Sequence, residues 1–134
     1  RDVERSRGLG DVYKRQAHID INSVTETLTD IESAFDTNFM VNKAQHYLMT
    51  KLIKKGALLF FIGGDNFMAP CNGLSEKEIE DILVEINDEI GIGLKAGIGV
   101  GRNMEDAAYM ADLGLEEIRD HDNGMWTWVI EKEY

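Results

Sequence analysis

"FFIGGDNFMAP" (residues 60–70) places two apolar runs on either side of a Gly-Gly-Asp-Asn segment (63–66). Paired glycines tolerate positive φ, so the pattern predicts a β-hairpin with a tight turn. The continuous apolar run 57–62 predicts a buried central strand. Pro70 cannot donate to a ladder, so it is expected at the end or edge of the returning strand. A turn that only reverses the chain needs no bare carboxylate, and Asp65 therefore raises a question of function.

Hydrophobic periodicity outside the hairpin predicts the remaining elements. Apolar and polar residues alternate over 17–22, which indicates a strand with one polar side. Ser75 and Glu78 form an S-x-x-E capping box at the start of a helix, which Gly91 is expected to end. The full set is helices over 41–55, 74–91 and 103–119, with Asn103 as an N-cap, and strands over 94–101 and 125–131.

The resulting order β-α-β-β-α-β-α-β predicts an α+β, ferredoxin-like fold. It has a βαββαβ core plus an added helix and strand, and an antiparallel sheet with helices mainly on one face. In this topology the first and third strands pair at the centre, and the end of the first strand lies beside the hairpin tip. Asp20 and Asp65 are therefore predicted to meet, although they are distant in the chain.

Bulk composition restricts the classes of function. The chain has 134 residues and a formal net charge of −11, which argues against nucleic-acid binding through a broad basic surface. No apolar run approaches the roughly 20 residues of a membrane span, so no membrane partner is expected. Cys71 is the single cysteine, so no internal disulfide forms and a reducing, cytoplasmic location is expected.

Residues 1–16 differ in character from the rest. They carry five basic and three acidic residues with no usable period, and "GDVYKRQ" resembles a translated cloning scar. We predict that 1–16 is a non-native leader, the alternative being a native linker. The domain is then 17–134, and its abrupt start on a strand indicates a fragment of a longer protein.

Two carboxylates that converge at a sheet repel each other unless a cation or a proton intervenes. Mg²⁺ fits, because it prefers oxygen ligands and is commonly held by one or two carboxylates plus substrate phosphates. Asp20, Asp65 and the Ile21 carbonyl could hold such ions on a triphosphate. The alternative is structural: Asp20 caps the loop after its strand, and Asp65 only occupies a turn position.

Neighbouring residues favour the ligand interpretation. Gly63 and Gly64 let the backbone approach a ligand closely. Hydroxyl groups over 23–29 could hold phosphate oxygens, or simply line a solvated loop. "GIGVGR" (97–102) lacks the spacing of a dinucleotide fingerprint, and its small residues predict close packing of a helix on the strand. Lys95 is expected to be a solvated surface lysine.

"HIDIN" and "FFIGGDNF" resemble the palm-type nucleotidyl cyclase superfamily, whose diguanylate cyclases carry a Gly-Gly-Asp-Glu-Phe hairpin. Asn66 stands where that hairpin has Glu. A longer resemblance covers essentially all of 17–134: "AHIDINSVTETLTDI", "ALLFFIGGDNFMAPCNG" and "LKAGIGVGRNMEDAAYMADLGLEEIR" are similar to the C-terminal half of the archaeal GTP cyclohydrolase III family.

This resemblance implies a palm domain from a two-palm enzyme that uses Mg²⁺ and is activated by K⁺. The implied reaction opens the guanine imidazole ring of GTP to a formamidopyrimidine nucleotide monophosphate and releases phosphate. The implied partners are the missing N-terminal palm half or a second copy of the module, in a homo-oligomer. Two alternatives stay open: a nucleotidyl or diguanylate cyclase, and a non-catalytic nucleotide-binding module.

The resemblance also implies a role for individual residues. The catalytic residues are Asp20 and Asp65, which are also metal ligands together with the carbonyl of Ile21. The neighbours of the nucleotide are Asn22, Gly63, Gly64 and Asn66, and the phosphate contact is Arg119. No residue is implied as the general base.

Overall fold

A computed structural model describes residues 13–22, 33–121 and 126–134. The strands are β1 (Lys14–Ile21), β2 (Phe60–Gly63), β3 (Asn66–Pro70), β4 (Leu94–Gly101) and β5 (Thr127–Glu131). The helices are α1 (Ser33–Ile53), α2 (Glu76–Ile90) and α3 (Met104–His121). The element order is the predicted β-α-β-β-α-β-α-β.

The five strands form one sheet in the order β2-β3-β1-β4-β5. β1 pairs antiparallel with β3 and with β4, whereas β5 pairs parallel to β4. The predicted pairing of the first and third strands is thus confirmed. The register places Asp20 of β1 opposite Asn66, the first residue of β3, so the end of β1 meets the hairpin tip.

The two faces of the sheet are covered by different helices. Ala17, Ile19 and Ile21 of β1 belong to a buried core that includes apolar residues of α1 and α2. His18 and Asp20 alternate with them and contact α3 instead. The α+β, ferredoxin-like class is confirmed: two helices share one face, and the added helix α3 covers the face on which the polar side of β1 lies.

Glycines on β4 determine how closely α3 approaches the sheet. A Cβ on Gly97 would lie 2.2 Å from the backbone of Ala111, and a Cβ on Gly99 would lie 1.9 Å from the backbone of Ala107. No side chain fits into that space, so the prediction of close helix packing is confirmed. The same packing carries the polar side chains of α3 to the polar side of β1.

The prediction for the first strand of the hairpin was wrong. Residues 57–62 do not form a buried central strand: β2 covers only Phe60–Gly63 and lies at the edge of the sheet. Phe60 and Phe61 are 54% and 49% exposed. A continuous apolar run predicts burial on both faces only where other elements cover both faces of the strand, and that depends on tertiary position rather than on local sequence.

Several strand and helix boundaries differ from the predictions. β1 begins at Lys14 rather than Ala17, and Arg15 and Gln16 are buried in it, so residues 14–16 belong to the sheet. α1 begins at Ser33 and ends at Ile53, and β5 begins at Thr127. Buried polar residues hide a strand from a hydrophobicity pattern, which explains the late start assigned to β1. The foreign origin of 1–16 stays a prediction.

The helix ends follow their predicted chemistry. Ser75 and Glu78 form the capping box of α2, and Gly91 ends that helix in a left-handed conformation with φ of 72°. Asn103 accepts a hydrogen bond from the backbone N–H of Asp106 at 2.8 Å and so caps α3. None of the helices among the described residues combines the length and apolarity needed to cross a bilayer.

Candidate active site

The two predicted carboxylates meet at the end of β1. The backbone N–H of Ile21 donates to the carbonyl of Asp65 at 3.3 Å, which ties the hairpin tip to the strand. Asp20 lies opposite Asn66, the residue next in the chain to Asp65, in the β1–β3 register, and its charge acts on the Asp65 carboxyl. The predicted proximity is therefore confirmed.

Two cationic side chains hold one oxygen of Asp20. Nη2 of Arg119 lies 2.5 Å from Oδ2 of Asp20, and Nζ of Lys95 lies 3.6 Å from the same oxygen. Asp20 is 5% exposed, and among the described residues nothing donates a hydrogen bond to its buried Oδ1. A buried carboxylate oxygen without a donor lowers the stability of the fold, so a proton or a cation bound at this position would be stabilising.

Asp65 shows the electrostatic consequence of this arrangement. Burial raises the pKa of its carboxyl above the ordinary value, and the charge of Asp20 and a hydrogen bond to Asp20 raise it further. The backbone hydrogen bond and the charge of Lys95 oppose this shift. The pKa of one carboxyl is thus raised, as expected where two carboxylates share one site.

These residues fit a divalent cation. Asp20 supplies a buried oxygen without a donor, and Asp65 lies beside it. Within the described ranges no group of three or more His, Cys, Asp or Glu side chains could enclose a metal. A site with two carboxylates leaves most coordination positions to water or phosphate, which suits Mg²⁺ better than an all-protein zinc or calcium site.

The glycines of the hairpin adopt conformations that other residues rarely reach. Gly63 has φ of +109° and Gly64 has φ of +59°. A Cβ on Gly63 would have no neighbour within 4 Å, so the backbone beside Asp65 is open to a ligand. The turn geometry and the open space are what the sequence predicted; the role of these glycines in nucleotide binding stays a prediction.

Lys95 was misjudged as a solvated lysine. Its Nζ donates to Oδ1 of Asn22 at 2.8 Å in addition to its contact with Asp20, and its side chain is only 16% exposed. The β1–β4 register places Lys95 directly opposite Asp20, which explains the contact. Asn22, predicted as a neighbour of the nucleotide, thus lies at the site and next to a positive charge.

The remaining predicted residues have mixed positions. Arg119 is at the site, but it pairs with Asp20, and its contact with phosphate stays a prediction. Ile21 is buried beside the hairpin, and its backbone N–H donates to the carbonyl of Asp65. The role of the Ile21 carbonyl as a metal ligand stays a prediction. The hydroxyl-rich stretch 23–29 lies outside the described residues.

A series of side-chain hydrogen bonds through His18 was not predicted from the sequence. Nδ1 of His18 lies 2.6 Å from Oδ1 of Asp112, and Nε2 lies 2.9 Å from Oδ1 of Asn66. Nδ2 of Asn66 then donates to Oδ1 of Asp65 at 3.1 Å. Strand alternation put His18 on the same side as Asp20, but only the packing of α3 shows its second partner.

Comparison with known proteins identifies a family that matches this chain. The family model described as GTP cyclohydrolase III matches residues 2–133. A GTP cyclohydrolase III of Methanothermobacter thermautotrophicus is 64% identical over 107 residues, which is 80% of this chain and 43% of the relative. That of Methanocaldococcus jannaschii is 61% identical over 109 residues, 81% of this chain and 41% of the relative. The chain thus spans less than half the length of these curated relatives.

Solved structures support the fold alone. The GGDEF domain of PA1120 from Pseudomonas aeruginosa superposes with a TM-score of 0.67 at 15% identity, covering 98% of this chain and 88% of that one. The active GGEEF domain of a diguanylate cyclase from Vibrio cholerae gives a TM-score of 0.64 at 16% identity, covering 98% and 90%. The fold is therefore that of the palm domains of diguanylate cyclases. By its family-model match and its sequence identity to archaeal relatives, the chain belongs to the GTP cyclohydrolase III family.

Proposed function

We propose that this chain is a GTP cyclohydrolase module that hydrolyses the imidazole ring of GTP with Mg²⁺ at the Asp20–Asp65 pair. The observation that carries the proposal is the buried Asp20 oxygen without a donor, next to a second carboxylate whose pKa is raised. The substrate follows from the names of the relatives, which are GTP cyclohydrolases III. The proposed product is a formamidopyrimidine nucleotide monophosphate, formed with release of phosphate.

In this proposal the acidic groups would hold the metal ion, and the basic group would contact phosphate. Asp20 and Asp65, with the Ile21 carbonyl, would hold Mg²⁺, which when bound supplies positive charge to phosphate and polarises water. Arg119, whose side chain is 45% exposed, would contact a phosphate oxygen. Asn22 and the open backbone at Gly63 and Gly64 would adjoin the nucleotide.

A diguanylate cyclase activity is the second candidate, and the palm fold of the structural neighbours favours it. Asn66 argues against it. Its side-chain N–H donates to Asp65 and its oxygen faces His18, so it provides a donor where the cyclase hairpin provides a second carboxylate. A non-catalytic nucleotide-binding module is the third candidate.

The partner of this module is proposed to be a second palm, either the remainder of a longer chain or another copy in a homo-oligomer. The chain covers 43% of its relative from Methanothermobacter. Large apolar side chains are exposed on α1 and around β2, including Phe35 at 83%, Phe39 at 67% and Ile53 at 59%. Exposed apolar surface of this kind commonly marks an interface.

One experiment separates these candidates. The chain, and a longer parent with a second palm, are incubated with GTP, Mg²⁺ and K⁺ while the ultraviolet spectrum, phosphate and pyrophosphate are followed. Phosphate release with a formamidopyrimidine spectrum supports the cyclohydrolase, and omission of K⁺ should lower the rate. Pyrophosphate with a cyclic or dinucleotide product supports the cyclase. Binding of GTP without turnover in both proteins supports the non-catalytic module.

A further inference from the structure

Three elements are connected at the site by one series of hydrogen bonds. Asp112 on α3 contacts Nδ1 of His18 on β1 at 2.6 Å, and Nε2 of His18 contacts Oδ1 of Asn66 at 2.9 Å. Nδ2 of Asn66 donates to Asp65 at 3.1 Å and approaches the carbonyl of Gly63 at 3.4 Å. The side chain of His18 is 15% exposed and that of Asp112 is 50% exposed, so the series runs from the protein surface to the partly buried hairpin tip.

The oxygen acceptors around the Asn66 side chain favour one orientation of its amide. Its Nδ2 faces two oxygen acceptors, the Asp65 carboxylate and the Gly63 carbonyl. Its Oδ1 faces the ring nitrogen of His18. A flipped amide would place oxygen against two oxygens and lose both bonds, so the Asp65 and Gly63 oxygens select the orientation, and Oδ1 is then placed to accept from Nε2 of His18 when that nitrogen carries a proton.

The hairpin tip needs such a restraint. Gly63 and Gly64 both have positive φ, and glycine has the largest backbone freedom of any residue. Asp65 follows them directly, and its backbone is attached to β1 through the Ile21 N–H at 3.3 Å. That bond fixes the backbone and leaves the carboxylate to rotate, whereas the Asn66 amide contacts the carboxylate itself.

We propose that His18, held by Asp112, is a positioning residue that fixes the Asn66 amide and through it the orientation of the Asp65 carboxylate. Asn is suited to this role because its amide accepts from His18 and donates to Asp65 at once, which a glutamate in this place does not do. The inference rests on the proposed function only in treating Asp65 as a metal ligand; the positioning itself concerns side chains of this chain.

Two substitutions of His18 separate the two ends of the connection. In His18→Gln the side-chain amide reaches about as far as Nε2, so a donor to Asn66 is kept and the contact with Asp112 is lost. In His18→Asn the amide reaches about as far as Nδ1, so the contact with Asp112 is kept and the donor to Asn66 is lost. Lys77→Gln, at an exposed pair with Asp81, is the control.

The first readout is binding of Mn²⁺ to the chain without nucleotide, measured by the loss of the free-ion electron paramagnetic resonance signal. The expected result is that His18→Asn weakens Mn²⁺ binding at least threefold more than His18→Gln does, with Lys77→Gln unchanged. Equal weakening by both variants, or greater weakening in His18→Gln, overturns the proposal, because a merely structural histidine has no reason to favour the longer amide.

The second readout is the side-chain NH₂ resonance pair of Asn66 in a ¹H–¹⁵N correlation spectrum. It should shift and exchange faster with water in His18→Asn and in Asp112→Ala, a helix-surface change that tests the proposal even if a His18 variant folds poorly. An unchanged pair in Asp112→Ala and His18→Asn overturns the proposal. If Mn²⁺ fails to bind the parent chain, the metal assignment is wrong, and the Asn66 resonances alone decide the positioning role.

Discussion

At the scale of single residues, the site depends on how Asp65 and Asp20 tolerate each other. Asp20 is neutralised from one side by Arg119 and Lys95, while its other oxygen is buried without a donor. Asp65 adds a second carboxylate at that point, and its pKa is raised by burial and by Asp20. Partly buried carboxylates this close together lower stability, as is common at functional sites.

Asp65→Asn tests this trade-off. The amide removes a like charge, so we expect the free energy of unfolding at pH 7 to rise by about 0.5 kcal/mol, the scale of one partly exposed charge interaction. Mg²⁺-dependent turnover of GTP by the longer parent should be lost. Urea denaturation and a phosphate-release assay measure the two effects. Asp88→Asn, an exposed carboxylate on α2, is the control; turnover in Asp65→Asn equal to that of the parent contradicts the metal-ligand assignment.

At the scale of elements, helix ends were the part of the fold most directly predicted by local sequence. The backbone N–H of Glu78 donates to Oγ of Ser75 at 3.1 Å, and the backbone N–H of Ser75 donates to Oε1 of Glu78 at 3.0 Å. Both bonds join residues three apart, so no tertiary contact is needed to form them. The strand of a hairpin has no such local determinant of its place in a sheet.

Ser75→Ala should destabilise the chain by about 1 kcal/mol at pH 7, the usual cost of losing an N-cap. The pKa of Glu78 is lowered below its ordinary value of 4.5, mainly because its carboxylate accepts a hydrogen bond from the backbone N–H of Ser75. A lowered folded-state pKa gives stability that is present above the unfolded pKa and lost as pH falls through the folded pKa. Glu78→Ala removes the acceptor of this bond, so its cost should shrink in acid below about pH 4, whereas Ser75→Ala keeps the backbone donor and its cost should depend much less on pH. Urea denaturation across pH measures both costs, with Ser75→Thr as the hydroxyl-retaining control; a pH-independent cost of Glu78→Ala would refute the capping-box explanation.

The packing of α3 against β4 positions Asp112 and Arg119 at the site. Gly99→Ala would place a methyl group 1.9 Å from the carbonyl oxygen of Ala107 and 2.3 Å from the nitrogen of Ala111. Helix α3 must move away, so we expect a loss of about 3 kcal/mol of stability. Gly73→Ala, where a Cβ meets nothing within 4 Å, should change it by less than about 0.5 kcal/mol. Thermal or urea unfolding compares them, and equal stabilities would show that α3 packs less closely than described.

At the scale of the whole molecule, the edge strand β2 and helix α1 leave apolar side chains exposed. Ile62 is 49% exposed at an unpaired edge, a feature that promotes association with another chain. We expect the chain to self-associate with rising concentration and Ile62→Lys to weaken this at least fivefold. Sedimentation velocity measures it, and Tyr109→Lys, at a 60% exposed aromatic on α3, is the matched control. A concentration-independent monomer would rule out a second copy as the partner of this surface.

Local sequence by itself determined the order and type of the elements, the caps of α2 and α3 and the geometry of the glycine turn, because each depends on residues within a few positions. The ferredoxin-like order also predicted that Asp20 and Asp65 meet. Tertiary structure alone decided that β2 is an edge strand, that Lys95 and Arg119 both pair with Asp20, and that His18 connects Asp112 to Asn66. These contacts join residues from separate elements, and register and helix packing set them only once the sheet and α3 come together.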